Sequence, residues 1–394
     1  MKRQPLGSVL SDLESLHLTR RRTTIDSFVE PGNRVVTTAD GRTLVDFSSN
    51  DYLGLAHHPA VAAAMSDCAL RTGAGSGASH LVTGHGIEHA RLEEELADFV
   101  GRERALLFST GYMANLGVMA ALASRGELVL LDRLSHASII DGAVLSGARF
   151  KRYTHGDAAA AERLLLENAE EATVVATDGV FSMDGDIAPI HELAKAAKTR
   201  RAWLVVDDAH GIGVLGGTGR GSVEHCGASA DDVPVLVGTL GKAFGSFGAF
   251  VAGSRDLIEF LIQKARPYIY TTALPQPVAA ATRKALEIAQ REPWRRERVL
   301  SLTARFRKAA RAAGIALLDS NTPIQPVVLG SSEAALQAQR DLLEAGFRVV
   351  AIRAPTVPRG SERLRIALSA AHSEGQVDAL VERLSHVHAA EPAS

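Results

Sequence analysis

Between residues 105 and 251 the chain alternates short, almost uninterrupted apolar runs with longer helical patterns, and this alternation constrains the fold more than any other feature. The runs predict strands at Ala105–Ser109, Leu128–Leu131, Thr173–Thr177, Trp203–Asp207, Val235–Gly238 and Gly248–Val251. Helical patterns fill the intervals over Met113–Ala123, His136–Ser146, Ala158–Asn168 and Ile190–Thr199. A strand that is apolar at nearly every position must be covered on both faces. Helical crossovers between such strands therefore predict an α/β domain built on a large, mostly parallel sheet.

Upstream, Leu92, Leu96, Phe99 and Val100 mark one face of an amphipathic helix. After Thr272 the pattern changes. Helices are expected over Ala279–Gln290, Arg296–Ala313, Ala334–Glu344 and Gln376–Leu384, with short strands at Gln325–Leu329, Arg348–Ala351 and Arg363–Leu368. The expected organisation is an N-terminal segment 1–50, a large domain 51–275 and a smaller C-terminal α+β domain 276–394.

Two segments of the large domain carry chemistry. In WLVVDDAHGIGVLG an apolar strand ends at Asp207 and the chain turns through His210. Ligands of open α/β sheets bind beyond the carboxyl ends of strands, which is where both residues fall. In GTLGKAFGSFGAF, Lys242 is surrounded by small residues that let a flat ligand approach. A lone lysine is usually a solvated surface group. A lysine amine together with a strand-end carboxylate meets a specific demand, however. Pyridoxal 5′-phosphate (PLP) needs an amine for Schiff-base attachment and a carboxylate that keeps its pyridine nitrogen protonated. Asp208, next in the chain, suits a plain structural role.

The strand ALLFS leads through Gly111 and Tyr112 into a helical pattern, and such a junction aims backbone N–H groups and the helix dipole at an anion. DRLSHAS offers His136 as a group to stack on a flat ring, and DGVFSMDGD offers Ser182 to bond a ring hydroxyl. Both follow strands of the same sheet, so both should meet at its C-terminal edge.

Other chemistries find no support. GAGSGASH lacks GxGxxG spacing and follows a helix, no serine has Gly at both −2 and +2, and no HExxH is present. Cys68 and Cys226 are far apart, so neither a disulfide framework nor a zinc or other metal site is expected. The net charge of −2 gives no reason to expect nucleic acid as a partner. No apolar run approaches a membrane span or a secretory signal, so a cytoplasmic location is expected.

Seven segments, FSSNDYLGL, GSGASHLVTG, DRLSHAS, DGVFSMDGD, VDDAHGIGVLG, GTLGKAFG and AIRAPTVPRGSERLRIALSAAH, occur in the order and at spacings similar to those of the α-oxoamine synthases. That resemblance spans nearly the whole chain. It implies an aspartate-aminotransferase-like PLP fold and a decarboxylative condensation of an amino acid with an acyl thioester. The FSSNDYLGLAHHP and AIRAPTVPRG segments most resemble the member that uses L-alanine and a pimeloyl thioester, delivered by CoA or by acyl carrier protein. Glycine C-acetylation within the family, and transamination on the same fold, are the rival readings. The resemblance implies that Lys242 forms the Schiff base, Asp207 faces the pyridine nitrogen, His136 stacks on the ring, and His210 with Ser182 contacts the ring hydroxyl. Gly111, Tyr112 and Thr239 would hold the phosphate, and Thr271 and Thr272 would reach the neighbouring phosphate of a homodimer. Asn50, Arg353 and Thr356, with His136, would position the substrate. Arg20 would contact the acyl substrate, with Arg21 and Arg22 as the alternatives in the same basic run.

Overall fold

The computed structural model describes residues 5–29, 33–168 and 171–389. Residues 1–4, the start of the stretch read above for a secretory signal, lie outside the described residues. The chain divides into two compact units: Asp51–Ser182 with Asp186–Glu297, and Met1–Asn50 with Met183–Gly185 and Arg298–Ser394.

The larger unit is built on a seven-stranded sheet. Its strands are β1 (Arg104–Phe108), β2 (Leu128–Asp132), β3 (Arg149–Tyr153), β4 (Ala172–Asp178), β5 (Trp203–Asp207), β6 (Val235–Thr239) and β7 (Ala249–Gly253), in the order β1-β7-β6-β5-β4-β2-β3. The neighbours from β6 to β3 pair in parallel, while β7 runs antiparallel to both β6 and β1. Val129, Val174, Val205, Val235 and Val251 are buried between the sheet and its helices. Helices α1 (Ile87–Val100) and α2 (Gly111–Leu122) supply buried Leu92, Leu96, Ala114, Val118 and Met119.

One strand departs from the expectation. RFKRY at β3 carries three charged residues, and no apolar run announces it. As the edge strand beside β2 it needs burial on few positions, and its charges blunt an edge that would otherwise invite further pairing.

The smaller unit holds two sheets. Strands Ile25–Phe28, Val35–Thr38, Thr43–Asp46 and Phe347–Arg348 form one, in that order. Strands Ile324–Val328, Arg363–Ala367 and Val350–Ile352 form the other, all antiparallel. The chain ends of the first sheet are tied by one buried carboxylate. Asp46 accepts hydrogen bonds from Arg34 Nη2 at 2.7 Å and Arg348 Nη1 at 2.9 Å, and from the Ser48 N–H at 3.0 Å. The Asp46 carbonyl lies 3.1 Å from His372 Nε2, whose ring stacks on Phe47 with centroids 4.0 Å apart.

Removing one member of a buried, hydrogen-bonded ion pair leaves charge stranded in a dry site. Asp46→Ala should therefore destabilise the smaller unit by about 3–5 kcal/mol. Urea denaturation of both proteins measures this, and a loss below about 1 kcal/mol, the level of an exposed pair, would show that Asp46 carries no such burden.

Candidate active site

All the parallel strands of the large sheet, and β1, present their carboxyl ends on one edge. There β2, β4, β5 and β6 end in Asp132, Asp178, Asp207 and Thr239. The turn from β6 back into β7 lies on the same edge and carries Lys242. This turn is tight. Gly245 donates its N–H to the Lys242 carbonyl at 2.8 Å and has φ +60°, and a Cβ there would lie 2.1 Å from the Ala56 nitrogen. Only glycine serves at such a position.

Lys242 Nζ lies 2.8 Å from His210 Nε2, and His210 Nδ1 lies 2.7 Å from the Tyr52 hydroxyl. Tyr52 is fully buried and His210 nearly so, which fixes the imidazole between a phenol and the amine. Asp207 sits at the end of the central strand. Its Oδ1 accepts from the Ala209 N–H at 3.1 Å and its Oδ2 from Asn115 Nδ2 at 2.6 Å. The same Asn115 nitrogen donates to Ser138 Oγ at 2.8 Å, and Ser138 Oγ lies 2.7 Å from His136 Nδ1. His136 is thus joined to Asp207 through two buried side chains.

Asp178 is opposite Asp207 in the parallel register and accepts the His136 backbone N–H at 2.9 Å. Burial, then the nearby Asp207 charge, pushes the Asp178 carboxyl well above its usual range. Burial holds the His136 imidazole below its ordinary value, aided by Lys242 and opposed by Asp207 and Asp141. Asp208 is fully buried, accepts the Ser222 N–H at 2.7 Å and is pushed up to about 7, chiefly by burial. Its role is to bind its own loop, as its neighbour's chemistry left it to do.

The helix α2 begins at Gly111, where no atom lies within 4 Å of an ideal Cβ position. Thr110 caps it by accepting the Met113 N–H. The amides of Gly111 and Tyr112 have no acceptor within the helix and remain available to an anion. Tyr112 is exposed, bonds Asp141 through its hydroxyl and meets the His136 ring edge-on at 6.5 Å. Thr239 Oγ1 donates to the Gly248 carbonyl and accepts the Gly241 N–H. Ser182 is half-buried in the loop closed by the Val180–Ile187 bridge, and Thr272 is exposed and bridged to Ser79, with Thr271 half-buried beside it.

Four expected substrate residues belong to the smaller unit. Arg353 donates to the carbonyls of His17 and Thr19, the latter at 3.1 Å. Burial and then the positive charge of Arg20 lower the Arg353 guanidinium's proton affinity. Arg21 instead pairs with Glu14 at 3.7 Å on the surface. Asn50 Oδ1 accepts from Arg365, and Thr356 is exposed, its N–H bonded to the Arg353 carbonyl. Asn115, Ser138 and Tyr52 are the residues that sequence reasoning missed. Asn115 had one signal: a lone polar residue in the otherwise apolar stretch MANLGVMAAL.

Residues 42–384 match the family model described as aminotransferase class I and II. The chain is 58% identical over 379 residues to an 8-amino-7-oxononanoate synthase of Methylococcus capsulatus, covering 96% of this chain and 97% of that one. It is 56% identical over 387 residues to one of Stutzerimonas stutzeri, covering 98% and 97%. Among solved structures, a serine palmitoyltransferase of S. paucimobilis with PLP and myriocin bound superposes with a TM-score of 0.92 at 31% identity, covering 98% of this chain and 97% of that one. An 8-amino-7-oxononanoate synthase of Francisella tularensis gives 0.76 at 32% identity, covering 87% and 97%.

Two of the loops at this edge share a cationic tie. His155 lies 2.9 Å from both Asp132, at the end of β2, and Asp186, beyond Ser182, and its ring meets Phe181 edge-on. Burial alone would lower its pKa, but the two carboxylates outweigh burial and raise it from 6.5 to about 10. Because the folded value is the higher, the stability this provides is complete below pH 6.5 and is lost as pH rises through about 10. His155→Asn should accordingly lower the melting temperature most in neutral and acidic buffer, with the deficit closing near pH 10. A deficit independent of pH would show that the tie is not ionic.

Proposed function

The chain belongs to the aminotransferase class I and II family, and on that premise we propose that it joins L-alanine to a pimeloyl thioester, releasing carbon dioxide and the free thiol carrier and yielding 8-amino-7-oxononanoate on the way to biotin. One observation carries this reading. Lys242, His210, Asp207 and His136 meet at one sheet edge in a chain 58% identical along 96% of its length to an 8-amino-7-oxononanoate synthase.

The residues present fit PLP. Lys242 provides the amine, Asp207 a carboxylate at the central strand end, His136 a flat ring, and Gly111 an unobstructed helix start. In this reading Lys242 holds the cofactor, Asp207 faces its ring nitrogen, and His210 with Ser182 bonds its hydroxyl. Gly111, Tyr112 and Thr239 receive the phosphate. When bound, PLP supplies an electron sink for the negative charge that develops at the amino acid's Cα.

The chain's own groups do the rest. The Lys242 amine takes the Cα proton of alanine and later returns one to the product. It can do so only in its neutral form. His210, held by Tyr52, keeps the amine at one place through the contact at 2.8 Å. Arg353 and Asn50, with Thr356, hold the alanine carboxylate until it leaves as carbon dioxide, and a guanidinium fork suits that group. Arg20, rather than Arg21, which pairs with Glu14 on the surface, takes the far carboxylate of the pimeloyl chain in this reading. A homodimer belongs to the reading, with Thr271 and Thr272 reaching the partner subunit's phosphate. So does the cytoplasm, where the free thiols of Cys68 and Cys226 are chemically at home. No helix among the described residues is long and apolar enough to cross a membrane.

Lys242→Ala should abolish turnover and the visible absorbance of bound PLP. Mass analysis of products from alanine, glycine and serine with pimeloyl, acetyl and palmitoyl thioesters tests the substrates. The alanine–pimeloyl product should dominate, and preference for glycine with acetyl, or serine with palmitoyl, would overturn the assignment.

A further inference from the structure

Asp207, Asn115, Ser138 and His136 form a chain of hydrogen bonds whose direction can be worked out from one end. Both Asp207 oxygens face N–H donors, the Ala209 amide and Asn115 Nδ2. The Asn115 amide is therefore not free to flip. Rotation would press its Oδ1 against the Asp207 oxygen, two acceptors 2.6 Å apart. The structure accepts a cost for this orientation, because Asn115 Oδ1 is buried with no hydrogen-bond partner among the described residues. An orphaned acceptor of that kind marks an amide whose donor end is the one in use.

The next link follows. Asn115 Nδ2 donates its second hydrogen to Ser138 Oγ at 2.8 Å, so the Ser138 hydroxyl hydrogen is left to point elsewhere. His136 Nδ1, 2.7 Å from that oxygen, is where it goes. The backbone N–H of Ser138 converges on the same nitrogen at 3.3 Å. A ring nitrogen facing two donors accepts and carries no hydrogen. Asn115, Ser138 and the Asp207 side chain are all buried, so water does not compete for these bonds.

We propose that Asn115 and Ser138 are positioning residues that relay the polarity of Asp207 to His136 and fix the imidazole as the tautomer with its proton on Nε2. The inference rests on the site proposed above but makes a separate claim, about a proton on this chain alone. Its consequence is that His136 resists a second proton. Nδ1 could accept one only by giving up the bond donated by the Ser138 hydroxyl, whose hydrogen would have to turn away from the ring, and by facing the Ser138 backbone N–H donor to donor. The charged groups around the ring are Asp207, Asp141 and Lys242, with Asp178 on its backbone N–H and the Tyr112 phenol at its edge. The relay keeps the ring uncharged despite the carboxylates nearby.

Nitrogen-15 NMR of histidine-labelled, PLP-loaded protein reads the tautomer directly, with His136 assigned by the signal lost in His136→Asn. The expected result is a neutral ring with hydrogen on Nε2 at pH 7, and the same after cofactor removal. Hydrogen on Nδ1, or an imidazolium, in the loaded protein overturns the relay even if Lys242→Ala behaves as an essential PLP lysine should. Ser138→Ala deletes one donor to Nδ1 and should raise the His136 pKa by about one unit, a tenfold change, as loss of a single hydrogen bond predicts. Asn115→Asp, which keeps the shape but places an acceptor against Asp207, should raise the His136 pKa and weaken PLP retention by about tenfold or more. An unchanged tautomer and pKa in both variants would also sink the proposal. If neither variant folds, the wild-type tautomer alone decides it.

Discussion

The site depends on one acceptor group, the Asp207 side chain at the end of the central strand. Its position comes from strand physics. Five residues of β5 are locked between two parallel neighbours, and the register places Asp207 beside Asp178 on one side and Val237 on the other. From that fixed point, hydrogen bonding sets the orientation of Asn115 on α2 and Ser138 in the following helix. Lys242 is set independently by the glycine turn and by His210. In the proposed reaction, rigid strands thus hold the electrostatic end of the chemistry, and a turn holds the nucleophilic end.

Much of the large sheet was legible because burial on both faces leaves an apolar run that sequence alone reveals. Trp203–Asp207 and Ile190–Thr199 were expected at the bounds observed. The β3 strand was not legible, because an edge strand with a half-solvated face follows no apolar pattern. Parallel pairing was the right expectation for most of the sheet. The reversal of β7 is a matter of long-range partnering, which local pattern does not encode.

The site divides along the same line. Lys242, Asp207 and His210 were visible because their neighbours, glycines and a strand end, are chemically distinctive. Asn115 hid inside a helix whose other residues read as core, and Tyr52 lies at a loop about 160 residues from its partner His210. Such residues matter through whom they touch, and contact is the property a single sequence shows least. His155 was passed over for the same reason, since neither carboxylate that gives it charge is near it in the chain.

The reversed strand has a further consequence for how the protein comes into being. Among the described residues β1 pairs only with β7, so residues 104–108 have no place in the sheet until residues 249–253 have been synthesised and have paired with β6. The Gly111 helix start follows directly on β1, and Lys242 lies in the turn between β6 and β7. On a ribosome delivering the chain from its N-terminus, the early segment must wait for the late one. The Gly111 turn and the Lys242 turn, which the proposed function assigns to one cofactor, are therefore both completed by the same late pairing of β7.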